Sequence, residues 1–227
     1  MSGSSLMFVT NRCHVWYSSA VHMALTKVAI GGFSSEVGKT SLLCALLREF
    51  PGWEAIKMTR GHYRSCGKDP HACCVSDLLS DQPVIHSGRQ ETYALGKDTG
   101  RYWDAGASNV HWVIVTDDQV QAGIVQALDR VKAPGVFIEG NSFLDFVTVD
   151  FTVMVARPEG GKIKKSARRA LPRASALYLF DNGSSGSASR DRFSYWLSNS
   201  LDGKLVGNLP LYTSDELPSL VLDIRDR

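Results

Sequence analysis

Gly31-Gly32-Phe33-Ser34-Ser35-Glu36-Val37-Gly38-Lys39-Thr40-Ser41 is the stretch on which the reading of this chain turns. It follows residues 26–30 (TKVAI), short, β-branched and continuously apolar towards their end, as in a buried strand. It precedes residues 38–50, where Leu42, Leu43, Leu46, Leu47 and Phe50 recur at helical spacing until Pro51-Gly52 stops them. A glycine-rich turn between a strand and a helix gathers backbone N–H donors on one point, which is what a phosphate group needs. Gly38 lets the backbone come close, Lys39 supplies a mobile positive charge for the terminal phosphates, and Thr40 offers a hydroxyl to Mg²⁺. Ser34, Ser35, Glu36, Val37, Gly38, Lys39, Thr40 and Ser41 are therefore the expected nucleotide-binding residues.

Outward from this loop the pattern alternates. Strands are expected at residues 54–58, 110–116, 136–139, 151–156 and 176–180, with a last one near 220–224. Helices are expected at 119–131, 164–171 and 190–201, with a short helical piece near 75–79 and a flexible loop over 181–189. Strands alternating with helices imply right-handed crossovers and a mostly parallel sheet with helices on both faces. The expected fold is thus an α/β three-layer sandwich of the P-loop NTPase kind, one domain over residues 23–227 with an insertion at about 60–93. Residues 1–22 carry Arg12 as their one Lys or Arg and no continuous apolar run, so they are expected to be a disordered extension rather than an export signal.

A net charge of +2 across 227 residues gives no basis for nucleic-acid binding, and no apolar run approaches membrane-spanning length. Five cysteines without an export signal suggest reduced thiols and a cytoplasmic protein. Cys66, His71, Cys73 and Cys74, with His62 and His86 near them, form the insertion's distinctive feature. Thiolate and imidazole suit Zn²⁺ or another transition metal, but the paired C-x-x-C spacing of a finger is lacking. A metal site and a loop with buried or redox-active thiols both remain open.

Glu139 ends the apolar run Val136-Phe137-Ile138, at the end of a parallel strand where ligands collect. It is either a Mg²⁺ ligand beside Thr40 that also polarises attacking water, or a solvent-facing carboxylate. Asp98, opening a helix, is either a cap or a metal- or water-orienting group. Arg101 on the next turn either pairs with Asp98 or meets a substrate phosphate. Lys57, inside Ala55-Ile56-Lys57-Met58, is an edge charge or points into the site. Asp117-Asp118 competes for the metal, although Asp118 reads as a helix N-cap. Lys39, Asp98 and Glu139 are the catalytic candidates.

Gly32 and Gly38 are separated by five residues, one more than in the common motif, and Phe33 stands where that motif has its first glycine. The longer loop ending Glu-Val-Gly-Lys-Thr resembles that of dethiobiotin synthetase. Lys97-Asp98-Thr99, followed by Arg101 and then Ala105-Gly106-Ala107, resembles the MobB-type molybdopterin-guanine dinucleotide biosynthesis proteins. Ile56-Lys57-Met58-Thr59-Arg60-Gly61-His62 and Phe137-Ile138-Glu139-Gly140 are similar to stretches of that family in the same order. The resemblance implies that Lys57 faces the substrate side, where Arg101 is also expected. It also implies a GTP-binding, Mg²⁺-dependent, slowly hydrolysing protein that supports cofactor biosynthesis together with another protein of that pathway. The synthetase-like loop keeps an ATP-dependent ligase in view, and the Cys/His insertion a nucleotide-switched metal carrier. No Asn-Lys-x-Asp motif decides between GTP and ATP, and a homodimer stays open.

Overall fold

A computed structural model describes residues 24–62, 75–183 and 185–227. Eight strands form one sheet in the order β3-β4-β2-β5-β1-β6-β7-β8. They are β1 (Thr26–Gly32), β2 (Glu54–Arg60), β3 (Val84–Ser87), β4 (Val110–Val115), β5 (Gly135–Glu139), β6 (Phe151–Ala156), β7 (Ala176–Leu179) and β8 (Leu211–Tyr212). Every neighbouring pair is parallel except β3 with β4. The helices are α1 (Lys39–Glu49), α2 (Arg89–Thr92), α3 (Asp98–Asp104), α4 (Val120–Leu128), α5 (Lys165–Ala170), α6 (Gly186–Asn199) and α7 (Leu217–Arg225).

The inner strands read as unbroken apolar runs because both faces of the sheet are covered. Along β1, Val28 and Ile30 face one core and Ala29 the other. The first core packs α1, α3 and α7 against the sheet through Leu43, Leu47, Tyr102 and Ile224. The second packs α4, α5 and α6 through Ile124, Ala167 and Phe193. Leu42, Leu43, Leu46 and Leu47 of α1 are all buried, each contributing roughly 2 kcal/mol relative to exposure, and they fix the helix that begins at Lys39. The result is a three-layer α/β sandwich.

Several expectations are corrected. Residues 220–224, expected as a strand, belong to helix α7: Leu217, Leu220, Val221 and Ile224 recur at helical spacing, behind a Thr213/Glu216 capping box and Pro218. The helix expected from 190 starts at Gly186, inside the stretch expected as a loop. Asp118 is not the cap of its helix. Thr116 is, accepting from the Gln119 N–H while the Gln119 side chain accepts from the Thr116 N–H. The piece near 75–79 is a 3-10 turn, Ser76–Leu78. Two edge strands, β3 and β8, were not expected.

Candidate functional site

β1 delivers the chain to the Ser34–Ser41 loop, and the loop is pinned from three directions. The Phe33 N–H donates to Val155 O at 3.0 Å and its carbonyl accepts from the Lys164 N–H at 2.8 Å. Its ring is buried beside Phe193 and Trp196. The residue standing in place of the usual glycine is therefore a core anchor whose side chain leaves the cradle. Asn141 brackets Gly32 from the β5 side, donating to its carbonyl and accepting from its N–H, both at 2.9 Å. Arg157 donates to Glu36 O at 2.9 Å, and Lys164 Nζ reaches Ser35 Oγ at 2.5 Å.

The turn closes at Gly38, in the left-handed region with φ 98°, directly before α1. A Cβ there would lie 2.1 Å from Phe180 Cγ, so glycine is required by the protein's own packing. The first N–H groups of α1 have no intrahelical partner, and the N-cap position, Gly38, offers no side chain to cap them. Lys39 Nζ donates to Ser34 O at 3.2 Å, folded back across the loop. Burial lowers its pKa, with Glu139 opposing and Lys57 adding to the fall.

Facing this loop is a compact charged cluster. Lys57 and Glu139 are register partners on adjacent parallel strands, so the pleat sends both side chains to one face. Lys57 Nζ lies 2.6 Å from Glu139 Oε1 and 2.6 Å from Asp98 Oδ2. Glu139 Oε2 accepts from Thr40 Oγ1 at 2.8 Å and from the buried Tyr102 hydroxyl. Burial alone would lower the Lys57 pKa, but Glu139 and Asp98 reverse this and hold it above the ordinary value. Burial likewise pushes the Asp98 carboxyl up, and the Lys57 ammonium outweighs it and draws it below the usual range. Tyr102 is raised well above its ordinary value by burial, reinforced by Glu139.

Above the buried Tyr102, one cavity of about 490 Å³ is walled by Lys39, Thr40, Lys57, Asp98, Arg101, Glu139, Arg157 and Phe180 among others. Arg101 turns to Ser41 Oγ at 3.1 Å; no direct ion pair joins it to Asp98 among the described residues. The Arg157 guanidinium stacks 4.9 Å from the Phe180 ring centre at the other end of the loop. Asp117 is drawn to Arg60 at 2.8 Å and away from Thr40. Four lining or supporting residues were missed in the sequence: Tyr102, Asn141, Arg157 and Phe180. Of these, Asn141, Arg157 and Phe180 carry a readable signal, since each lies within two residues of the carboxyl end of a parallel strand.

Cys66, His71, Cys73 and Cys74 lie outside the described residues, as do residues 1–22. His86 sits on β3, its ring 5.8 Å from Trp112 and its Nδ1 3.8 Å from Glu91. Among the described residues no three His, Cys, Asp or Glu side chains gather as a ready transition-metal site. None of the described helices is long and apolar enough to cross a membrane.

No protein-family model and no curated protein matches the chain. Among solved structures it is similar to LpxK from Aquifex aeolicus, an "apo" form in complex with ATP, at 19% identity and a TM-score of 0.41. The match covers 69% of this chain and 48% of that one, so this chain spans about half the length of LpxK.

Proposed function

We propose that the chain binds a nucleoside triphosphate with Mg²⁺ at the Ser34–Ser41 loop and hydrolyses it slowly, in the manner of a MobB-type GTP-binding protein. The observation that carries the reading is the convergence of Thr40, Glu139, Asp98 and Lys57 opposite Lys39 and the uncapped start of α1. Thr40 Oγ1 and the carboxylates of Glu139 and Asp98 are hard oxygen donors, the set that suits Mg²⁺. They would hold the ion, directly or through water, and the ion would neutralise charge between the terminal phosphates. Lys39 and the first N–H groups of α1 bind the phosphate oxygens, and Arg101 extends positive charge over the same cavity. Tyr102 keeps Glu139 oriented from beneath, within the core.

The ligase reading needs a lysine available for a substrate carboxylate. Lys57 is held by two carboxylates at 2.6 Å, which favours the hydrolytic reading. The MobB-type landmarks favour GTP and a role beside a cofactor-biosynthesis protein.

Titration calorimetry with GTP and ATP in Mg²⁺ tests the site and its base preference. Lys39→Ala is expected to weaken triphosphate binding by roughly 100-fold or more. Unchanged affinity in that variant would remove the site, and tighter ATP than GTP binding would remove the GTP assignment.

A further inference from the structure

A second cavity of about 360 Å³ lies beside the phosphate site, lined by Arg60, Asp117, Ser142, Phe146, Lys165 and Arg169 among others. Three chain segments supply residues to both places. Met58 and Gly140 line the first cavity, and Arg60 and Ser142, each two positions further on, line the second. Lys164 reaches Ser35 of the phosphate loop, and Lys165 next to it lines the second cavity. Arg60 ends β2 and Ser142 follows β5, so both cavities open beyond the carboxyl ends of the parallel strands, where such sheets receive ligands.

The lining of this second cavity is cationic. Three cations, Arg60, Lys165 and Arg169, stand against two carboxylates, Asp117 and Asp145. Arg60 Nη1 meets Asp117 at 2.8 Å and Arg169 Nε meets Asp145 at 3.0 Å. A guanidinium carries five N–H donors, so these single bonds orient each side chain and leave donors for a further oxyanion. Ser142 and Ser166 add hydroxyls, and Val120 with the half-exposed Phe146 gives an apolar wall.

From this arrangement we infer that the cavity is the binding site of a second, small ligand carrying a phosphate or carboxylate on an apolar body. Such a ligand is the natural second substrate or effector of the triphosphate site proposed above, and the inference rests on that reading for its role, though not for binding itself.

Phenyl phosphate and benzoate are the probes. Binding is followed by calorimetry and by heteronuclear NMR shifts, on the full chain with and without a non-hydrolysable triphosphate and Mg²⁺. Saturable binding is expected for one or both probes, phenyl phosphate the tighter if the ligand is a phosphomonoester and benzoate if it is a carboxylate. In Lys165→Ala/Arg169→Ala it should weaken roughly 10–100-fold, with triphosphate affinity unchanged. In Lys39→Ala it should persist, which separates this site from the phosphate loop. Equal affinity in the double variant, or no saturable binding by about 10 mM, would overturn the inference. Probe binding by a chain that binds no triphosphate would sustain the cavity and defeat the nucleotide reading.

Discussion

Lys57→Met tests the charged cluster most directly, because methionine keeps most of the side chain's unbranched length and removes its charge. Lys57 is the shared cation of Glu139 and Asp98, whose side chains are 3% and 40% exposed. Breaking a buried pair by deleting one partner costs about 3–5 kcal/mol. Glu139 keeps its bonds from Thr40 and Tyr102, and solvent screens much of Asp98, so the lower end applies, about 3 kcal/mol. For a chain of 227 residues that is a fall in Tm of about 6–12 °C. The same deletion leaves two facing carboxylates with no cation between them, so Mg²⁺ should stabilise the variant more than the wild type. A cation present at about a hundred times its dissociation constant returns about 2.7 kcal/mol. Thermal unfolding by circular dichroism, with Mg²⁺ and with Na⁺ at matched ionic strength, reads both effects and separates binding from screening. A fall below about 2 °C would refute the burial argument. A fall that Mg²⁺ leaves in place would refute the cation site.

Gly38→Ala should destabilise the fold by about 2–3 kcal/mol in urea unfolding and impair triphosphate binding, since the left-handed backbone and the Phe180 ring both oppose a Cβ. Glu54 raises a question of pH: burial pushes its carboxyl up, but His111 at 2.7 Å and the N–H groups of Lys132 and Ala133 outweigh this and hold it below 4.5. A depressed pKa stabilises the fold above the ordinary value and loses that stability as pH falls through the folded one. Glu54→Gln should therefore be less stable than wild type by about 2–4 kcal/mol near neutrality, with the gap closing as the pH falls through the depressed pKa of Glu54. A gap independent of pH in urea titrations would count against the pair. Burial pushes the Cys44 thiol up to about 11, so iodoacetamide at about pH 8 should alkylate it at least roughly 100-fold more slowly in the native than in the unfolded chain. Peptide mass mapping at Cys44 reads this, and equal rates would contradict its burial.

The parts legible in the sequence are those whose cause is local. The Ser34–Ser41 loop announces itself because the phosphate binding proposed for it demands glycine, lysine and threonine at fixed spacing between a strand and a helix. Lys57 and Glu139 stood out because charge inside or ending an apolar strand is anomalous. Their direct pairing depends on the β2–β5 register, which no local pattern encodes. Tyr102 was hidden because a buried aromatic on a short helix looks like core; only the fold brings its hydroxyl beneath Glu139. The edge strands were hidden by size, β8 having two residues and β3 four. Residues 220–224 misled because Leu-Val-Leu-Asp-Ile is equally good as strand or helix; the upstream Thr213/Glu216 capping box held the answer.

Helix α5 connects two places: the residue before it is bonded to Phe33 and Ser35 of the loop ahead of α1, and its own Lys165, Ser166 and Arg169 line the neighbouring space. Whatever factor an anion in the second space imposes on triphosphate affinity, the triphosphate must impose on the anion, because the two binding free energies share one coupling term. On the inference drawn above, the six-residue helix α5 is the segment through which such a coupling would run.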